Sequence, residues 1–165
     1  MSPAIILVPG MSCVGSFVYA PLMEELKKAG LEHVEAVDLP SVDCVTTEAH
    51  LKPNALEADV KHIRSAIERA LSNSLDVVVV GHSYGGTPSL YACEGLWKTA
   101  QPAGAPGVLR AALLTSSLTL PGGSIAGDRM EYGKKHGGID DSGGNVQMVG
   151  EVSSQILLSE RTPDG

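Results

Sequence analysis

The sequence predicts an α/β protein, a three-layer α/β/α sandwich with a mostly parallel sheet, and three features carry that expectation. Ala4–Val8 is a short, continuously apolar run, as a strand covered on both faces must be, and Asp76–Val80, one aspartate followed by four valines, is a strand of the same kind. Each closes directly on a turn, Pro9-Gly10 in the first case and Gly81 in the second. Helix-period segments separate the apolar runs at the rhythm of successive βα units, which implies parallel strands with helices on both faces.

Taken in order, Ala4–Val8 is the first strand. Pro21 to Ala29 follows as a helix, with Pro at its first position, Glu24 and Glu25 early, Lys27 and Lys28 late, and Gly30 just past its end. His33–Val37 reads as a second strand running into the turn Asp38-Leu39-Pro40-Ser41. Residues 42–53 are polar and irregular. Asn54 with Glu57 resembles a capping box, opening a helix whose apolar stripe is Leu56, Val60, Ile63, Ile67 and Leu71. The valine strand comes next, then a helical pattern from Thr87 to Lys98, with Pro88 in the first turn, where its missing N–H is tolerable. Gln101–Gly107 is a loop, and Arg110–Thr115 is a fourth strand. After Pro121 glycines dominate, and Val152–Leu158 is the only later stretch able to pack.

Bulk properties narrow the function. The 165 residues amount to one domain, with 43% hydrophobic and only 4% aromatic residues, so aliphatic side chains must form the core. A net charge of −7 and the absence of a clustered Lys/Arg surface argue against a nucleic-acid partner. No apolar stretch approaches membrane-spanning length, and Met1-Ser2-Pro3 runs straight into a strand without a basic leader. Cys13, Cys44 and Cys93 are an odd, widely spaced set without metal-type spacing. Free thiols in a reducing, cytoplasmic setting are expected, with no metal.

The chemistry concentrates in Gly81-His82-Ser83-Tyr84-Gly85-Gly86. Gly-x-Ser-x-Gly between a strand and a helix forces a sharp turn that thrusts the serine hydroxyl above the C-terminal edge of the sheet. Gly81 and Gly85 let neighbouring backbone pass without a Cβ clash, and Ser83 then sits at a helix N-terminus, where developing negative charge is favoured. A serine nucleophile needs two backbone N–H donors for the tetrahedral oxyanion. One is expected from Tyr84 and the other from the loop Val8–Ser12, at Met11, with Ser12 the second choice. The same loop has Walker-like spacing from Gly10 to Gly15 but no lysine, and it lacks a dinucleotide fingerprint, so no cofactor is expected. His82 should point away from the serine hydroxyl. His33, His50 and His62 read as structural or solvated, and Cys13 as a small buried hydrophobe.

Together these residues resemble the α/β-hydrolase superfamily, and more narrowly its small esterases related to plant methylesterases and hydroxynitrile lyases. The resemblance is carried by Ile6–Gly10, Tyr19–Leu22, Ala36–Ser41, Asp59–Ile67, Val77–Gly86 and Leu113–Gly123. It implies the hydrolase fold, Ser83 as nucleophile and the backbone oxyanion donors, and by itself gives no substrate. With the serine turn and the loop after the first strand, the expected activity is hydrolysis of a carboxylic ester, lactone or thioester of a small apolar metabolite, in a secondary-metabolite pathway. The resemblance also implies an acid and a histidine after two further strands. Downstream of Ser83 the only histidine is His136, and the acids are Asp128, Glu131, Asp140, Asp141, Glu151, Glu160 and Asp164, none of them after a convincing strand. The expected organisation is therefore residues 1–120 as the N-terminal part of a hydrolase core and 121–165 as a partial cap. The chain then reads as truncated at its C-terminal side, with an open sheet edge through which a homodimer could pair. The alternative is a hydrolase-like binding module without turnover. Lyase or cyclase chemistry shares the fold.

Overall fold

The computed structural model describes residues 2–42 and 55–116, together with two short strands at 139–140 and 147–148. The chain divides into two compact units, Met1–Ser117 and Leu118–Gly165. In the first unit, β1 (Ala4–Val8), β2 (Val34–Ala36), β3 (Val77–His82) and β4 (Val108–Leu114) form an all-parallel sheet in the order β2-β1-β3-β4. In the second, β5 (Ile139–Asp140) and β6 (Gln147–Met148) pair antiparallel. The parallel sheet with its helices is the α/β arrangement that the sequence led one to expect.

Strand order decides where a site can form. From β1 the chain steps outward to β2, then crosses back over β1 to β3 and continues outward to β4. Right-handed crossovers place helices α1 (Gly15–Val18) and α2 (Ala20–Lys28) on one face, and α3 (Ala55–Ser72) and α4 (Gly86–Ala92) on the other. Consistent with this, α3 and α4 pack against each other. The chain direction therefore reverses between β1 and β3, and the loops leaving their C-terminal ends separate to opposite faces. Such a switch point is where open α/β sheets bind ligands.

The core lies between the sheet and the α3/α4 layer. Ile6, Val8, Ile63, Ile67, Val77 and Val79 are essentially removed from solvent. On β3, Val77, Val79 and Gly81 are buried while Val78, Val80 and His82 are only partly so, which reflects unequal cover of the two faces. Helix α3 turns slightly from the expected stripe. Its buried residues are Asp59, Ile63, Ala66 and Ile67; Val60 and Leu71 are only partly buried, and Leu56 is exposed. The capping box expected at Asn54 lies outside the described residues.

Helix α4 is shorter than its sequence pattern, ending at Ala92 rather than at Lys98. The terminal carbonyls explain the stop. Arg64 on α3 donates through Nη1 to Glu94 O at 2.8 Å and to Ala92 O at 3.4 Å, and Gly95 then takes a left-handed φ of +73°. The chain continues through a 3₁₀ turn at Lys98–Ala100. Lys98 Nζ bonds Asp76 Oδ1 at 2.8 Å, and the Gly107 N–H bonds the same oxygen at 2.9 Å. These two bonds hold the Asp76 carboxyl below its ordinary range. Strand β4 forms one edge of the four-stranded sheet, with Leu109 and Leu114 exposed. Among the described residues, no helix is long and apolar enough to cross a membrane.

Candidate active site

At the switch point the loop after β1 meets the turn after β3. Ser83 opens a 3₁₀ turn, Ser83–Gly85, that leads directly into α4, and its φ is +52°. A left-handed backbone at a non-glycine residue costs about 1–3 kcal/mol and persists only where the surroundings hold it. Those surroundings are specific. A Cβ placed on Gly81 would lie 2.7 Å from Gly86 Cα, and one on Gly85 would run into the Pro9 carbonyl oxygen and lie 2.9 Å from Val8 O. Gly85 itself has φ −60° and ψ −16°, which any residue could adopt, so it is glycine solely because β1 passes so close.

The β1 loop is equally near Ser83. A Cβ on Gly10 would stand 3.2 Å from Ser83 Cβ and 3.4 Å from His82 Nδ1. Gly10 O accepts from Cys13 N at 3.3 Å, Ser12 takes φ +61°, and the Met11 side chain is 63% exposed. Among the described residues, no protein atom accepts the Met11 N–H. The far end of the loop is pinned twice. Asp38, just past β2, accepts Ser16 N and Ser16 Oγ, both at 2.8 Å, and Gly15 fits so closely against the Val37 carbonyl that a Cβ there would clash. Gly10, the residue before Met11, thus lies against Ser83 where the C-terminal ends of β1 and β3 meet. Cys13, expected to be buried, is only half-buried. His136 and the acids Asp128, Glu131, Asp141, Glu151, Glu160 and Asp164 lie outside the described residues, as does Cys44.

The sequence matches the alpha/beta hydrolase family over residues 5–152, a span that contains the parallel sheet from Ile5 onward and both loops. This chain belongs to the alpha/beta hydrolase family. It is 34% identical over 127 residues to an alpha/beta hydrolase, nvfD, of Aspergillus novofumigatus, covering 77% of this chain and 48% of that protein. It is 37% identical over 90 residues to a probable hydrolase, R7, of a Phoma species, covering 54% of this chain and 35% of that protein. The chain therefore spans half or less of the length of these curated relatives.

One element beside the serine turn goes beyond the motif. Tyr84 OH donates to Asp59 Oδ2 at 2.8 Å; Ser41 Oγ donates to the same oxygen at 2.6 Å, and Ser41 N donates to Oδ1 at 2.9 Å. Asp59 is fully buried. Burial, and then the bond to Asp59, push the Tyr84 phenol well above its ordinary pKa, so it remains a donor throughout the physiological range. The sequence did carry a signal for this carboxylate. Asp59 stands four residues before Ile63 on the same helical face, a charge on an apolar stripe. Among the described residues, no three His, Cys, Asp or Glu side chains converge in a way that could hold a metal.

Proposed function

We propose that this chain carries the nucleophile half of a serine hydrolase acting on a carboxylic ester, lactone or thioester of a small apolar metabolite. Ser83 Oγ attacks the carbonyl carbon, and its proton passes to a base. The carbonyl π electrons move onto oxygen, and the Met11 and Tyr84 N–H groups stabilise that oxyanion. Collapse expels the alcohol or thiol with a proton and leaves an acyl-serine, which water hydrolyses to the acid. The observation that carries the reading is Ser83 at φ +52° in a strand-to-helix turn, with the β1 loop packed against its Cβ. Strain of this kind is sustained at a residue whose side chain must be aimed, and the crevice beside it is the switch point of the sheet.

A fluorophosphonate probe tests the reading, because it phosphonylates only an activated serine backed by an oxyanion site. Covalent labelling of the wild-type chain that disappears in Ser83→Ala is the expected result. Equal signal from both proteins would refute the proposal. A second reading, a hydrolase-like binding module without turnover, has one observation in its favour: among the described residues, no histidine bonds Ser83 Oγ. The two readings separate on multiple-turnover hydrolysis of short-chain p-nitrophenyl esters, which only the first predicts.

A further inference from the structure

We infer that Asp59 is a positioning residue: from helix α3 it fixes the Tyr84 side chain, and through it the Tyr84 backbone N–H as an oxyanion donor beside Ser83. The inference rests on the serine-hydrolase reading above and extends it to a residue outside the Gly-x-Ser-x-Gly motif.

A buried carboxylate on an apolar helix face is a poor device for stability alone. Well-packed aliphatic side chains at such positions commonly do as well or better, because the desolvation of the charge must be offset by its bonds. Asp59 offsets it with three neutral donors, Ser41 N, Ser41 Oγ and Tyr84 OH, and among the described residues no lysine or arginine pairs with it. Two of those bonds tie α3 to the turn after β2. The third reaches across 25 positions of sequence to the residue that follows the strained serine.

That third bond has a geometric consequence. A tyrosine side chain is rigid from Cβ to the hydroxyl and has only two rotatable torsions. Its Cα end is set by the 3₁₀ turn behind Ser83, and its hydroxyl end by Asp59. With both ends held, the Cα–Cβ bond has less freedom to turn, which restrains the peptide between Ser83 and Tyr84. That peptide carries the N–H assigned to the oxyanion. Releasing the hydroxyl frees one end of the lever without removing the donor, so the donor should loosen rather than vanish.

The experiment measures fluorophosphonate labelling on the full chain, resolved into the bond-forming rate kinact and the binding constant KI. Variants are Tyr84→Phe, Asp59→Asn and their double, with Ser83→Ala as the zero and Ile67→Val as a core variant of the same helix. Removing an oxyanion donor outright costs about 100- to 1,000-fold. Loosening one should lower kinact about tenfold in either single variant, with KI little changed. The double variant should be no slower than the slower single, because both substitutions cut the same bond. Ile67→Val should lose stability but keep its kinact. Wild-type kinact in Tyr84→Phe would overturn the inference, as would two single effects that multiply in the double. If Asp59→Asn fails to fold by circular dichroism, Tyr84→Phe alone decides. An unlabelled wild type refutes the hydrolase reading, and this inference with it. A labelled wild type with an unaffected Tyr84→Phe refutes the inference alone.

Discussion

Replacing Gly85 by alanine adds one methyl group where β1 leaves no room for it. A Cβ there would overlap the Pro9 carbonyl oxygen and lie 2.9 Å from both Val8 O and Val8 Cγ1. Two of these three neighbours are backbone oxygens at the end of β1, so relief requires the strand end itself to move. Overpacking of this kind costs about 1–3 kcal/mol, and overlap with main chain belongs at the upper end. Against it stands a gain of about 0.4–1 kcal/mol, because alanine restricts the unfolded chain and the native φ of −60° suits it. The net expectation is a loss of about 2 kcal/mol, or a fall in Tm of about 4–8 °C for a chain of this size. Urea titration followed by circular dichroism should show a lower midpoint with an unchanged slope. Labelling of Ser83 should fall too, since the Pro9 shift displaces Met11. Gly85→Ala with wild-type stability and wild-type labelling would show that β1 and the serine turn are not packed as described.

Other substitutions probe separate parts of the same construction. Ser83→Gly should be more stable than Ser83→Ala by about 0.5–1 kcal/mol in urea, because the left-handed penalty of about 1–2 kcal/mol at φ +52° is partly returned as backbone entropy; equal stabilities would mean the turn is unstrained. Cys93 is fully buried, and burial pushes its thiol up to about 12 from an ordinary 9.0, so it should resist alkylation by iodoacetamide at pH 8 while half-buried Cys13 reacts, as peptide mass mapping would show. Above pH 9.0 the unfolded chain releases that proton while the folded chain keeps it, so this thiol lowers stability progressively as pH rises from 9.0 towards about 12. Asp76 has the opposite sign. Its lowered pKa stabilises the fold above the ordinary carboxylate range and is lost as pH falls through the folded value, so Asp76→Asn should flatten the acid limb of a pH–stability curve.

Much of this was legible in the sequence, for identifiable reasons. Ala4–Val8 and the valine run could be read as strands because nothing in them alternates, and Gly81 and Gly85 could be read as contact points because a strand–serine–helix turn leaves no alternative. The misread features depend on partners distant in sequence. Helix α4 stops at Ala92 where Arg64, on another helix, takes its carbonyls, and Gly95 is the one local signal of that stop inside a pattern that continues to Lys98. The apolar stripe of α3 runs in sequence through Leu56, which the fold exposes, and leaves out Asp59, whose burial depends on Tyr84 and Ser41. Hydrophobic periodicity registers only what avoids water. It marks Asp59 as a charge set on an apolar stripe but does not show which donors bury it.

The strained serine and the reversal of strand order belong to one physical problem. A nucleophile of the kind proposed must stand clear of its own helix, which the φ of +52° allows, and a loop must face it, which the approach of Gly10 to Ser83 beside the paired strands β1 and β3 supplies. Neither arrangement is stable by itself. The turn relaxes unless it is wedged, and the loop drifts unless it is anchored. The wedge is the contact of Gly85 with Val8 and Pro9, so the same β1 residues that launch the loop also enforce the turn. The anchors are two carboxylates near the end of β2 and on α3, Asp38 bracketing Ser16 and Asp59 bracketing Ser41. Each bracket uses one serine's N–H and hydroxyl together, but among the described residues only Asp59 has a further bond, and it goes to Tyr84. Loss of Asp38 should therefore loosen the Met11 side of the crevice, and loss of Asp59 the Tyr84 side. If both donors face one oxyanion, Asp38→Asn and Asp59→Asn should each slow labelling of Ser83 through different donors, and their effects should multiply. That is the reverse of the coupling expected between Asp59 and Tyr84.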